Sequence, residues 1–300
     1  MSDLFKPLNR QEIPDFFHGT AVSSYWSSSL NRLLRSRPAL IGLVLIGLIT
    51  LGAIFGPLLS RYNYYQTHLA LKNTPPGALF WFGSDELGRD LFTRVWWGAR
   101  ISLTVGFSAA LIDLFIGVIY GSISGFCGGK IDEAMMRIAD ILYAIPYLIV
   151  VILIMVVIGS GLTSIILALT ITGWVSMARV ARGQILQIKE MDYVKAARAI
   201  GASPLRIIAY HMLPNAMGPI ITTLTLTIPT AIFAEAFLSF LGLGVQAPIA
   251  SWGTMANDGL PAMRYFPWRL FFPATLISLT MLSFNMLGDS LRDAFDPRLS

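Results

Sequence analysis

The chain has 300 residues, of which 55% are hydrophobic and 13% charged, and its formal net charge is +5. A soluble domain carries about 25% charged residues, and here the apolar residues also fall in long blocks, which excludes an ordinary soluble enzyme. The basic residues sit between those blocks, where membrane topology explains them better than nucleic-acid binding does, and the single Cys127 excludes an internal disulfide and a Cys-based zinc site.

Residues 1–37 are polar, with scattered aromatics and serines, and read as a cytoplasmic tail with an interfacial helix over Tyr25–Arg35. The first apolar block begins near residue 38, too late for a secretory signal, and no small-residue cleavage site follows it. About 20 apolar residues cross about 30 Å of hydrocarbon. Residues 38–59 are uncharged and bounded by Arg35, Arg37 and Arg61, which predicts a first transmembrane helix over 38–60. An external loop over 61–97 follows, rich in Gly, Pro and aromatics. In it Asp85 or Ser84 is expected to cap an interfacial helix, with Asp90 and Arg94 as an i,i+4 pair and Trp96 and Trp97 in an aromatic belt.

Residues 101–126, with the one charge Asp113, are the second span. The stretch from Ser124 to Ile131 is the nearest approach to a phosphate-binding loop, but it lacks Gly at 124 and Ser or Thr at 131. Its glycines are expected to end the span, with Asp132 capping the next helix. Residues 141–178 are uncharged and, at about 1.5 Å per residue, too long for one crossing. Gly159-Ser160-Gly161 supplies a turn between a third and a fourth span, and Pro146 interrupts the third. Asp140 is expected to pair with Arg137. Pro214 cuts the block 207–234, so the fifth span is placed after it, interrupted by Pro229; residues 270–288 are the sixth. Six spans place both termini on one side. With that side cytoplasmic, fifteen of the 22 Lys and Arg lie inside and seven outside, which sets the orientation.

Asp113 and Glu235 lie in or at the end of apolar blocks. An ionisable group there is costly and faces protein or a water-filled cavity. Two readings stay open for each: a polar lining of a translocation path, or a partnered structural acid.

The segment 192–215, DYVKAARAIGASPLRIIAYHMLPN, is the most informative. Residues 183–200 are helix formers, Gly201 suits the left-handed conformation that ends a helix, and Ser203 is placed to cap a second helix with Pro204 at its first position. Pro214 interrupts that second helix. Ala196 and Ala197 are small enough to let another surface approach closely. Local physics alone also allows an ordinary helical loop.

This segment resembles the signature loop of type I importer permeases of the ATP-binding-cassette superfamily: Ala196, Ala197 and Gly201 match, followed by His211, Leu213, Pro214 and Asn215, while Lys195 stands where Glu is typical. Gly83-Ser84-Asp85-Glu86-Leu87-Gly88-Arg89-Asp90 and the run from Gly98 to Leu103 before the second span are similar to the C-type permease of oligopeptide and dipeptide importers. So are the run from Phe240 to Gly244, Ser251-Trp252-Gly253 and the tail from Gly288 to Arg298. In that tail, Arg292 is placed to bridge Asp289, Asp293 and Asp296.

The resemblance implies an all-α polytopic membrane protein with six transmembrane helices and the type I importer permease fold. Its transmembrane core would span 98–289, with a coupling loop at about 190–214 and a cytoplasmic tail over 290–300. It implies that Lys195, Ala196, Ala197, Gly201, Ala202, Ser203, Pro204, Leu205, His211, Leu213 and Pro214 dock into an ATPase subunit. It also implies a bacterial inner-membrane location, a second homologous permease subunit, two ATPase subunits that hold the ATP and magnesium, an extracytoplasmic substrate-binding protein and a peptide substrate. No cofactor or metal is expected on this chain, nor nucleic acid. Nickel and other small solutes are carried by relatives and stay open as substrates. A secondary transporter, an exporter permease and an intramembrane protease relying on His211 are weaker alternatives.

Overall fold

The computed structural model describes residues 25–295; the tail residues 1–24 and 296–300, including Asp296 and Arg298, lie outside the described residues. Helix α1 (Tyr25–Arg35) falls where the sequence predicts it. Ser36 then accepts a hydrogen bond from the Ala39 amide at 3.5 Å and starts α2 (Arg37–Leu59), with Pro38 in the first turn where no amide is missed. Next come a single 3₁₀ turn (Leu69–Leu71), α3 (Leu91–Cys127), α4 (Gly129–Ala144), α5 (Tyr147–Ile158) and α6 (Leu162–Lys189). The short helices α7 (Asp192–Ala199) and α8 (Pro204–Arg206) lead through a π-helical turn (Ile207–Met212) into α9 (Leu213–Phe240). Helices α10 (Trp252–Gly259) and α11 (Trp268–Phe295) complete the chain. No strand forms among the described residues; one isolated bridge joins Ser84 and Asp90.

Five helical units are long and apolar enough to cross a membrane: α2, α3, α6, the run Pro204–Phe240, and α11. The pair α4 and α5, bent by 80°, makes a sixth if counted as one span. Helix α5 alone has 12 residues, about 18 Å, which is short of a bilayer's hydrocarbon core. The expected third span is therefore a broken one, hinged at Ile145–Pro146, where proline cannot continue the helical hydrogen bonding. The turn between the third and fourth spans is as predicted, with Gly159 at φ +95°.

Among the described helices, the most extensive packing seam is that of α3 along α6. Gly117, Gly121 and Gly125, four residues apart, lie on that seam. A Cβ built at Gly121 would stand 2.2 Å from the Ala178 carbonyl oxygen. Lipid offers no hydrophobic drive for helices to associate, so contact depends on close backbone approach through small residues. Helices α9 and α11 pack on the same core, and α2 lies against α3 and α11 with Leu40, Val44, Leu48 and Phe55 facing outward.

Several sequence expectations change. No separate interfacial helix forms over 85–97; α3 runs unbroken from Leu91 through the second span. Its cap is Asp90 rather than Asp85 or Ser84: the Asp90 carboxylate accepts from the Thr93 amide at 3.0 Å and from Ser60 at 2.9 Å. Arg94 pairs not with Asp90 but with Asp85, at 3.5 Å, where Asp85 also holds Arg89 at 2.6 Å. Asp85 becomes the hub of the loop because its other oxygen accepts the amides of Leu87 and Arg89. Trp97 stacks on Tyr64, while Trp96 packs on Gly52 and Gly56 of α2.

Pro214 does not cut the fifth span. The preceding turn widens to the π form, which moves the carbonyls away from the proline ring, and the helix continues through Pro219 and Pro229. Asp132 caps no helix; it binds Arg182 at 2.5 and 2.6 Å and Ser124 of α3. Asp140 pairs with Arg179 at 2.8 Å rather than with Arg137. Both acids find partners on α6 because α4 folds back against it. Among the described residues Arg292 makes no ion pair with Asp289 or Asp293.

Candidate functional site

Two features stand out, at different heights of the bundle. The first is the projecting segment 190–214. Helix α6 ends at Lys189, the chain turns at Met191, and α7 runs to Ala199. Gly201 adopts φ +84°, as the sequence predicts, and the Ala202 amide returns to the Ala197 carbonyl at 3.1 Å. Pro204 sits in the first turn of α8, as expected, but the Ser203 side chain makes no capping hydrogen bond.

The underside of this hairpin is a compact apolar cluster. Val194, Ala197, Ile207 and Met212 pack against Ile185 and Ile188 of α6 and Ala216 of α9. Its outer side is apolar too: Ile200 is 86% exposed, Leu205 77% and Tyr210 76%. Apolar side chains so exposed on a small projection mark a surface made for a partner. Ala196 is exposed and Ala197 buried. Of the two alanines only Ala196 therefore presents a small surface outward, whereas Ala197 lets α7 sit down on the core. Lys195, in the place typical of Glu, pairs with Glu190 at 3.3 Å with both side chains exposed, an interaction worth little. His211 and Leu213 are half-buried in and just after the π turn, and Pro214 is exposed beside them.

The second feature is a cavity of about 500 Å³ between α3, α5, α6 and α9. Asp113 lines it, only 4% exposed, and its Oδ1 has no hydrogen-bond partner among the described residues. Tyr147 lines the same space, and its buried hydroxyl also has no hydrogen-bond partner among the described residues. Thr223, Thr227 and Thr230 of α9 and Thr172 and Ser176 of α6 form polar stripes around it.

Glu235 does not join them. It is 0% exposed, and its carboxylate accepts hydrogen bonds from Ser102 of α3 at 2.9 Å and Ser239 at 2.7 Å. Ser239 in turn lies 3.4 Å from Ser251, the cap of α10. Glu235 is thus the partnered structural acid of the two readings, tying three helices together; the cavity passes by at Ala231 and Ala234.

Residue-type reasoning had not singled out Ile200, Tyr147 or the threonines. Thr223 and Thr227, four apart in an apolar block, were readable as one polar helix face. Ile200 carried no such signal.

An apolar helical bundle with an open, largely apolar cavity that holds one carboxylate and a few hydroxyls, and with an apolar helical hairpin projecting from it, is a membrane permease that works with another protein. The chain belongs to the family of binding-protein-dependent transport system inner membrane components, whose family model matches residues 117–300; the N-terminal TM domain of oligopeptide transport permease C matches residues 24–76. It is 59% identical over 276 residues to the oligopeptide transport system permease protein OppC of Bacillus subtilis (strain 168), covering 92% of this chain and 90% of that one. It is 58% identical over 277 residues to the dipeptide transport system permease protein DppC of the same strain, covering 92% and 87%, and 41% identical to OppC of Escherichia coli (strain K12), covering 92% of each. Among solved structures, an inward-facing MetNI methionine ABC transporter superposes with a TM-score of 0.56 at 21% identity, covering 66% of this chain and 94% of that chain, which establishes the fold. The chain is therefore a multi-pass inner-membrane transport subunit of the importer type and not an enzyme.

Proposed function

We propose that this chain forms one half of the translocation path of an ATP-driven importer of oligopeptides or dipeptides, with a second, homologous permease forming the other half. The peptide cargo is supported by the high identity to permeases named for oligopeptide and dipeptide transport. The hairpin 190–214 docks into a cleft of an ATPase subunit, one of a pair that holds ATP and magnesium, and a binding protein delivers peptide at the opposite end, to the connections 60–90 and 241–267. Both termini are cytoplasmic in this reading, which the distribution of Lys and Arg supports.

The observation that carries the coupling role is the pair Ile200 and Leu205, exposed on either side of Gly201 with their backbone braced by a buried core. Apolar side chains at the tip of a rigid short helix suit insertion into a groove. Bracing matters because a force applied at the tip must reach α6 and α9, which line the cavity. ATPase closure would then draw two such hairpins together, and the spans rock to open the path from one face to the other.

The test is Leu205→Glu in the full transporter. Leu205 buries little within this chain, so the variant should fold and assemble with its partner permease. Peptide uptake and binding-protein-stimulated ATP hydrolysis should both fall at least about tenfold, the loss expected for a charge placed in an apolar docking pocket. Unchanged uptake would remove the coupling role from this hairpin. A complex that assembles and hydrolyses ATP yet takes up no di-, tri- or pentapeptide would remove the cargo assignment.

A further inference from the structure

We propose that Asp113 is the anchor for the free ammonium group of the transported peptide as it passes through the membrane; this rests on the peptide-importer reading above and adds how the path grips its cargo. A carboxylate held within a membrane bundle is costly unless a cation or several donors meet it. Asp113 meets neither among the described residues, for its buried Oδ1 has no partner and no described Lys, Arg or His lines the cavity.

The site is shaped around the carboxylate. Gly173 of α6 lies against it, and a Cβ there would fall 2.3 Å from Oδ2. The α6 backbone thus approaches the carboxylate closely. The α9 lining of the same cavity carries hydroxyl acceptors as well. Thr223, Thr227 and Thr230 donate their hydroxyl protons to carbonyls one turn back, at 2.8, 2.9 and 2.9 Å, which leaves each hydroxyl oxygen as an acceptor. Tyr147 adds a hydroxyl with no partner among the described residues.

One carboxylate on α3, with neutral oxygens on α5 and α9 around the same wide cavity, selects the ligand chemistry. Calcium takes six to eight oxygen ligands, and no group of three metal-binding side chains forms among the described residues. An ammonium group brings three donors and one positive charge, which match one anion and two hydroxyl oxygens. Every linear peptide carries that group at its amino terminus whatever its side chains. Such an anchor holds peptides of any sequence, and its single charge pair lets them leave again.

Two measurements on the assembled transporter test this. The first is ATP-driven uptake of tri-alanine into proteoliposomes by the wild type, Asp113→Asn and Tyr147→Phe. The second is binding of tri-alanine and of N-acetyl-tri-alanine to the permease–ATPase complex without its binding protein, followed by ligand-observed NMR. Asp113→Asn keeps the side chain's shape and should lower uptake at least about tenfold, with a smaller loss for Tyr147→Phe, since hydrogen bonds to charged groups outweigh neutral ones. The wild-type complex should prefer the free amine by about tenfold, and Asp113→Asn should abolish that preference. The proposal is overturned by undiminished uptake in Asp113→Asn or by an equal preference in both proteins. It is equally overturned if Asp113→Asn releases the second permease subunit, because the carboxylate's cation is then that subunit's. Absent peptide uptake by an ATP-hydrolysing wild type fails the importer reading itself, a result distinct from all three.

Discussion

Gly121→Ala tests whether backbone contact, rather than apolar matching, holds the two central helices together. Glycine in a helix costs about 1 kcal/mol relative to alanine, so on propensity alone the substitution should stabilise. The structure argues otherwise. The new Cβ would lie 2.2 Å from the Ala178 carbonyl oxygen and 2.9 Å from both the Ala181 Cβ and the Arg182 amide nitrogen, where ordinary contact begins at 3.4 Å. None of these atoms is the end of a flexible side chain, so α3 and α6 must separate by about an ångström along their seam. Overpacking of this kind costs about 1–3 kcal/mol, and rigid backbone on the far side places it at the upper end. After the propensity gain, the net loss is about 2 kcal/mol, or roughly 3 °C in Tm at this chain length. Gly47→Ala is the control, because nothing lies within 4 Å of its Cβ position. Thermal unfolding of the purified chain in detergent, followed by size-exclusion fluorescence, separates the two. If Gly121→Ala raises Tm as much as Gly47→Ala does, the seam is not set by backbone contact.

Other consequences follow from the same packing. Arg at position 197 must enter the cluster around Ile207 and Met212, so Ala197→Arg should expose the hairpin to trypsin, whereas Ala196→Arg should leave trypsin resistance intact and reduce only stimulated ATP hydrolysis. Asp258 in α10, near Glu86 of the connection after α2, has its carboxyl pushed up by burial first and then by the Glu86 charge, against the pull of Arg94, Arg89 and Arg269. A folded-state pKa above the unfolded value of about 3.9 means that folding favours the protonated form. The resulting stability is present below that unfolded value and is lost as pH rises through the raised one. Asp258→Asn should therefore flatten the pH dependence of Tm in the acid range and raise Tm near pH 7.

The motifs that resemble the importer permeases divide in two when seen in three dimensions. Asp85, Asp90 and the Ser251 cap hold loops and helix ends in place, and each is bonded to backbone. The 192–214 segment holds itself together only on its inner side and offers Ile200, Leu205 and Tyr210 outward. That contrast between satisfied and unsatisfied surfaces separates structural motifs from interactive ones, and no residue-type pattern carries it.

Much of the architecture was legible in the amino-acid order. Long uncharged blocks located the crossings because a bilayer demands apolar length. Gly159 and Gly201 marked turns because both adopt positive φ, which other residues resist. The Gly117, Gly121 and Gly125 series was also there to be read, since small residues at fourfold spacing mark close helix approach.

What tertiary structure alone decided concerns faces and partners. Asp113 and Glu235 are the same kind of residue in the same kind of block, yet three serines from other turns and helices gather at Glu235 while Asp113 faces a cavity. Asp140 chose Arg179, thirty-nine residues away, over a neighbour three residues away. The physical reason is the solvent. In water, a buried face is apolar and an exposed one polar, so periodicity reports which is which. In lipid both faces are apolar, as on α2, where outward Leu48 and Leu58 look like inward Ile49 and Ala53. Sequence therefore tells where this chain crosses the membrane, and only packing tells which way each crossing turns.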